Sequence, residues 1–131
     1  MKFMVCYDSS KEAKEALVLA GEHAKVWGAT LEVVHSIMRE LSLKRSFVEK
    51  KEKALEDEIK EILGGSDISY EVALLIDTLS PAEQLVRFAK EEEIKQAFIG
   101  IEKQSKVGKL LFGSTAQYLI LKSPCPVVTV K

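Results

Sequence analysis

"FIGIEKQSKVGKLLFGST" occupies residues 98–115. It opens as a short apolar run of the kind that forms a buried strand, and it closes as the start of a helix. Between the two lie Lys103, Lys106 and Lys109 and one internal glycine, Gly108. A strand that passes into a helix through a glycine-bearing loop is half of a βαβ unit. The remainder of the chain repeats that pattern on both sides of the stretch.

Upstream, "KFMVCY" (2–7) reads as a buried strand that stops at Asp8-Ser9-Ser10. Ser9 with Glu12 forms a predicted capping box. The helix that follows places Ala13, Ala16, Leu17, Ala20, Ala24 and Trp27 on one face, and Gly28 ends it. "TLEVVHSI" (30–37) is a second strand, rich in β-branched residues. A charged stretch over 43–63 carries Val48, Leu55, Ile59 and Ile62 on one stripe, an amphipathic helix closed by Gly64-Gly65. "ISYEVALL" (68–75) is a third strand. Ser80, Pro81 and Glu83 open a third helix as cap, first helical residue and box partner, with Leu85, Val86 and Ala89 facing inward.

"QAFIGI" (96–101) is a fourth strand. A helix beginning near Gly113-Ser114 is expected to bury Ala116, Leu119 and Ile120, and "PVVTVK" (126–131) is a fifth strand. Strands alternating with helices give a parallel sheet covered on both faces. The expectation is a single doubly wound α/β domain over 1–131, with no linker and no internal repeat.

Composition narrows the function. Hydrophobic residues make up 47% of the 131 and charged residues 30%, with a formal net charge of -1. Such a chain builds a core, and its balance of charge argues against general nucleic-acid binding. No segment is apolar enough to cross a membrane, and "MKFMVCYDSS" lacks a signal-peptide pattern, which points to a cytoplasmic protein. Cys6 and Cys125 read as small buried hydrophobes rather than a disulfide or a zinc site.

In a doubly wound sheet, ligands sit beyond the carboxyl ends of the strands, where the strand order reverses. Two loops there carry suitable chemistry. One holds Asp8, Ser9 and Ser10. The other ends in Gly113-Ser114-Thr115 at a helix N-terminus, where free N–H groups and the helix dipole favour an anion. The lysines add positive charge. The same residues also fit simple capping by Ser114, with Gln117 three residues on, and both readings stand. A Walker P-loop fails because Leu110 follows Gly108-Lys109. There is no G-x-G-x-x-G after the first strand, and no Ser/His/Asp catalytic set.

The segment 98–131 resembles the C-terminal signature of the universal stress protein family. That signature has a glycine after the fourth strand, a second glycine three residues on, nine further residues, Gly-Ser or Gly-Thr, a helix, and "PCPVVVV". Here it reads Gly100, Lys103, nine residues, Gly113-Ser114 and "KSPCPVVTV". "VCYDSSKEAKEAL", "LEVVHSI" and "SPAEQLVRFAKEEEIKQAFIG" are similar to the family's other elements, so the likeness covers essentially the whole chain.

The resemblance implies a Rossmann-like sheet of the adenine nucleotide alpha hydrolase-like type, with strand order 3-2-1-4-5. It implies a cleft for ATP or AMP. Tyr7, Asp8 and Ser36 would stand on the adenine and ribose side, with Ile99, Gly100, Lys103, Gly113, Ser114 and Thr115 toward ribose and phosphate. Mg²⁺ would enter only with the nucleotide. It also implies a homodimer through the last strand, Val127, Val128, Thr129 and Val130. A proline at Val128 is the expected way to break that pairing.

Two departures stand out. Lys103 replaces the second glycine and brings a long side chain into the phosphate region. Tyr7 is bulky where the family has a smaller residue, and is expected to crowd the base. The implied function is a small stress-response regulator that binds nucleotide, with at most slow ATP hydrolysis. The alternative is a nucleotide-free dimeric interaction module of the same family, with an unidentified protein partner. A receiver-type domain is the weakest reading, because Asp77 ends the third strand but Asp8 has no acidic neighbour. His23 reads as a boundary residue, His35 as a structural histidine, and Trp27 as core or interface.

Overall fold

The computed structural model describes residues 1–102 and 113–131. Lys103, Lys106, Gly108 and Lys109 lie outside the described residues. The elements run β1 (Lys2–Cys6), α1 (Lys11–Trp27), β2 (Thr30–Met38), α2 (Arg45–Leu63) and β3 (Tyr70–Asp77). They continue with α3 (Pro81–Glu91), β4 (Gln96–Gly100), α4 (Ser114–Lys122) and β5 (Val127–Val130). The five strands are parallel in the order β3-β2-β1-β4-β5. The order reverses between β1 and β4, so the crevice that accepts ligands in such sheets opens above these two strands.

The alternation of side chains along each strand divides the core into two layers. Phe3, Val5, Leu31, Val33 and Phe98 pack with Ala13, Ala16, Leu17 and Ala20 of α1 and with Leu55, Ile59 and Leu63 of α2. Met4, Cys6, Val34, Ala97 and Ile99 face the other way. They pack with Leu85, Val86 and Ala89 of α3 and with Ala116 and Leu119 of α4. The strands are thus apolar on both faces, as a parallel sheet with two helical covers requires.

Local chemistry sets the ends. Gly28 takes φ 65, the left-handed conformation that closes α1. Ser80 caps α3: its Oγ accepts from the Glu83 N–H and donates to the Glu83 carboxylate. At α1 the cap is Ser10, not Ser9 as the spacing suggested. The Ser10 Oγ accepts from the Ala13 N–H at 3.1 Å, and Ser9 stands outside the helix at φ 67. The buried row of α1 stops at Ala24, so Trp27 in the last turn is 64% exposed rather than core. On α4 the buried residues are Ala116 and Leu119. Ile120 turns outward and is 43% exposed.

Among the described residues, no helix is long and apolar enough to cross a membrane.

Candidate functional site

A cleft of about 440 Å³ lies at the carboxyl ends of β1, β2 and β4. Tyr7 and Asp8 reach it from the end of β1, and Ser36 from β2. Ile99 and Gly100 reach it from β4. Gly113, Ser114 and Thr115 close it from the start of α4. The structure therefore gathers eight of the nine residues singled out in the sequence, and Lys103 lies outside the described residues. Val34, His35, Pro81 and Leu85 also line the cleft. Their signal is positional only: they stand toward the carboxyl end of β2 and in the first two turns of α3.

The phosphate-facing wall is the N-terminus of α4. Its cap is Gly113, and among the described residues no side chain caps the helix. Ser114 is the first helical residue rather than the cap. The first-turn N–H groups of a helix have no partners within it, and they carry the positive end of the helix dipole. Gly113 has φ -64, and among the described residues a Cβ built there would meet nothing within 4 Å. Neither backbone conformation nor packing against the described residues demands glycine at this position.

Gly100 is constrained differently. A Cβ there would lie 2.6 Å from the Ala13 nitrogen and the same distance from the Glu12 carbonyl oxygen. Glycine is needed because the first turn of α1 presses on the end of β4. The first glycine of the signature thus packs a helix against a strand.

The opposite wall is held by a chain of polar contacts. The Tyr7 N–H donates to the Val34 carbonyl at 2.8 Å. The Tyr7 carbonyl accepts from His35 Nδ1, also at 2.8 Å. That contact places the proton of neutral His35 on Nδ1. Burial lowers the His35 pKa from its usual value, against the opposing effect of the Tyr7 carbonyl. The Tyr7 side chain is 2% exposed and packs in the α1/α2 layer, with its hydroxyl donating to Glu58 at 3.2 Å. Its ring is thus spent on the core and on α2. Burial, and then the Glu58 charge, push the phenol up to about 12.

Asp8 follows directly. Its Oδ1 accepts the Ser10 N–H at 3.0 Å. Ser36 lines the cleft while donating its hydroxyl to the Pro81 carbonyl at 3.1 Å, which ties β2 to the start of α3. Cys6 beneath the cleft is a buried thiol, pushed up to about 12 mainly by burial. A thiol so protonated is a packing group rather than a nucleophile. Among the described residues, no group of three or more His, Cys, Asp or Glu side chains is arranged to hold a metal ion.

The chain matches the model of the universal stress protein family over residues 1–131. A universal stress protein of Thermus aquaticus is 31% identical over 98% of this chain and 96% of its own. Two solved structures from Archaeoglobus fulgidus are also similar. One is a universal stress protein with TM-score 0.87 and 32% identity, covering 100% of this chain and 98% of that one. The other is a universal stress protein in complex with dAMP, with TM-score 0.84 and 29% identity, covering 100% and 98%. The chain belongs to the universal stress protein family.

Proposed function

We propose that the protein binds an adenine nucleotide, AMP or ATP, in the cleft above β1 and β4, and that it acts as a regulator rather than as an enzyme. The observation that carries this reading is the N-terminus of α4, where Gly113, Ser114 and Thr115 line the cleft and no side chain of the described residues caps the helix. An anion there meets free N–H groups and the hydroxyls of Ser114 and Thr115. Asp8 on the facing wall suits a ribose hydroxyl or an adenine amino group, both donors to a carboxylate. The Archaeoglobus fulgidus relative in complex with dAMP supports the class of ligand.

The residues fit a nucleotide better than a free metal ion. Mg²⁺ would arrive with a polyphosphate, held by phosphate oxygens and water. No step of chemistry is assigned to the cleft, and any hydrolysis of ATP there is expected to be slow. Calorimetric titration with AMP, ADP and ATP, with and without Mg²⁺, tests the reading. Saturable binding of one nucleotide per chain supports it, and silence toward all three overturns it.

A second reading is favoured by Lys103, which stands where the family signature has its second glycine. On this reading the protein is a nucleotide-free interaction module. Titration of Lys103→Gly separates the two. Binding by the variant alone would mean that the lysine closes the site.

We also propose a homodimer paired through β5. That strand ends the sheet order beyond β4, and among the described residues its outer side has no neighbouring strand. Sedimentation of the purified protein over a range of concentrations tests it.

A further inference from the structure

We propose that Glu58, on α2 and outside the cleft, is a positioning residue for the nucleotide site, because its carboxylate latches the loop that presents Asp8. The inference rests on the nucleotide reading above. Glu58 holds two hydroxyls at once. The Tyr7 hydroxyl donates to Oε1 at 3.2 Å, and the Ser9 hydroxyl donates to Oε2 at 3.0 Å. These donors are the residues on either side of Asp8.

The latch has a specific physical task. Ser9 sits at φ 67, in the left-handed region that a residue with a Cβ adopts at a cost. Such a conformation persists when the surroundings over-determine it. Here a charge-assisted hydrogen bond from a helix some fifty positions away holds the side chain of the strained residue itself. The strain at Ser9 turns the chain between the end of β1 and the cap of α1. It brings the Ser10 N–H onto the Asp8 carboxylate and leaves the Ser10 Oγ to cap α1.

Tyr7 anchors the near side of the loop. Its N–H and carbonyl are held by β2, and its buried phenol needs a partner, which Glu58 supplies. With both flanks fixed, Asp8 is presented to the cleft already ordered, which lowers the entropy cost of binding. Alternation along β1 places the Tyr7 ring with Phe3 and Val5 in the α1/α2 layer, where its hydroxyl reaches the Glu58 carboxylate.

The test compares AMP binding by the wild type, Glu58→Ala, Glu58→Gln, Ser9→Ala, the Ser9→Ala/Glu58→Ala pair and the control Glu61→Ala, all in the full chain. Glutamine keeps two polar atoms for the two hydroxyls, so Glu58→Gln is expected within about threefold of wild type. Glu58→Ala is expected to weaken AMP binding about tenfold, the effect of losing a charge-assisted hydrogen bond. Glu61→Ala, on the exposed side of α2, is expected to leave it unchanged. The double variant should bind no more weakly than Glu58→Ala alone, because both changes open one latch.

Unchanged binding by Glu58→Ala, equal losses in Glu58→Ala and Glu61→Ala, or failure of glutamine to restore binding would each overturn the inference. Amide hydrogen exchange at Ser9 and Ser10 reads the latch without ligand. Faster exchange in Glu58→Ala, restored by glutamine, is expected, and unchanged exchange overturns the latch. If wild type binds no nucleotide, the nucleotide reading fails and so does the binding role of Glu58, whereas the exchange result still decides the latch.

Discussion

Gly100 and Ala13 are in such close backbone contact that a single methyl group at Gly100 would stand 2.6 Å from the Ala13 nitrogen. The end of β4 and the first turn of α1 therefore meet with no room for a side chain. Asp8, Ala13, Gly100 and the start of α4 line one cleft around this contact. Gly100→Ala is expected to destabilise the fold by about 1–3 kcal/mol, the usual cost of overpacking. Denaturant unfolding measures it. A change below about 0.5 kcal/mol would mean that the backbone yields freely.

Gly113→Ala should behave in the opposite way. The position has an ordinary φ, and among the described residues nothing lies within 4 Å of the added Cβ. Stability is expected to change by less than about 1 kcal/mol, since alanine restricts the unfolded chain but is a poorer cap than glycine. Binding of AMP should weaken, because the methyl group fills the space beside the helix N-terminus. Comparing the two variants by unfolding and by titration separates a packing glycine from a ligand-facing one.

Stability against pH should carry two opposing carboxylates. The Arg87 guanidinium, 2.6 Å from Asp77, and the Leu79 N–H hold the Asp77 carboxyl down at about 2 from its ordinary 3.8. A depressed folded value contributes stability above the unfolded pKa, and that contribution is lost as pH falls toward about 2. Burial, and then Glu71, raise the Glu32 carboxyl above its ordinary value, against the pull of Lys2 at 3.8 Å. A raised folded value works the other way, and stability is lost as pH rises through the unfolded value toward the folded one. Asp77→Asn is therefore expected to flatten the acid limb of a stability profile, and Glu32→Gln to steepen it. Thermal unfolding across acid pH reads both. Parallel profiles for the two variants would contradict the assignment.

Gln84 should be costly to remove. It is 1% exposed, and its Nε2 donates to the Ile37 and Leu79 carbonyls at 2.9 Å each, joining α3 to the top of β2. Among the described residues its Oε1 has no partner, and the side chain acts through its donors. Gln84→Leu leaves two carbonyls without that donor and is expected to cost about 1–3 kcal/mol in denaturant unfolding. A neutral result would mean that the carbonyls find other donors.

The proposed dimer calls for a different proline from the one suggested by sequence. The Ala97 N–H bonds the Pro126 carbonyl, and the Ile101 N–H bonds the Val130 carbonyl. The register of the parallel pair therefore turns the polar groups of Val128 toward β4, and those of Val127 and Thr129 toward the free edge. Thr129→Pro is expected to weaken self-association at least about tenfold with the monomer still folded, since it removes an edge donor. Val128→Pro would instead injure β4–β5 pairing. Sedimentation with circular dichroism distinguishes the two. Unchanged association of Thr129→Pro would contradict pairing through β5.

The architecture was legible because the determining signals are local. Apolar strands bounded by Asp-Ser-Ser, Gly28, Gly64 and Ser80-Pro81 announce an alternating chain, and the family likeness supplied the strand order, which the structure shows. The site was legible as positions rather than as directions. Spacing near Ser9 and Ser10 does not say which serine caps α1; in the structure Ser9 bonds Glu58, far along the chain, and Ser10 is the cap. The Tyr7 ring packs in the α1/α2 layer and reaches Glu58, where its bulk suggested crowding of the cleft. The packing role of Gly100 arises from a helix nearly ninety residues earlier, and His35 joins the cleft through the Tyr7 carbonyl. Each of these depends on a contact across elements, which spacing along one element cannot register.

Isothermal titration of the full chain with AMP, repeated on Asp8→Ala and on Lys103→Gly, decides whether the cleft is a nucleotide site. The wild type is expected to bind one AMP per chain saturably, with binding clearly weakened by Asp8→Ala. Absence of binding by the wild type at millimolar AMP would contradict that reading, whether or not Lys103→Gly binds.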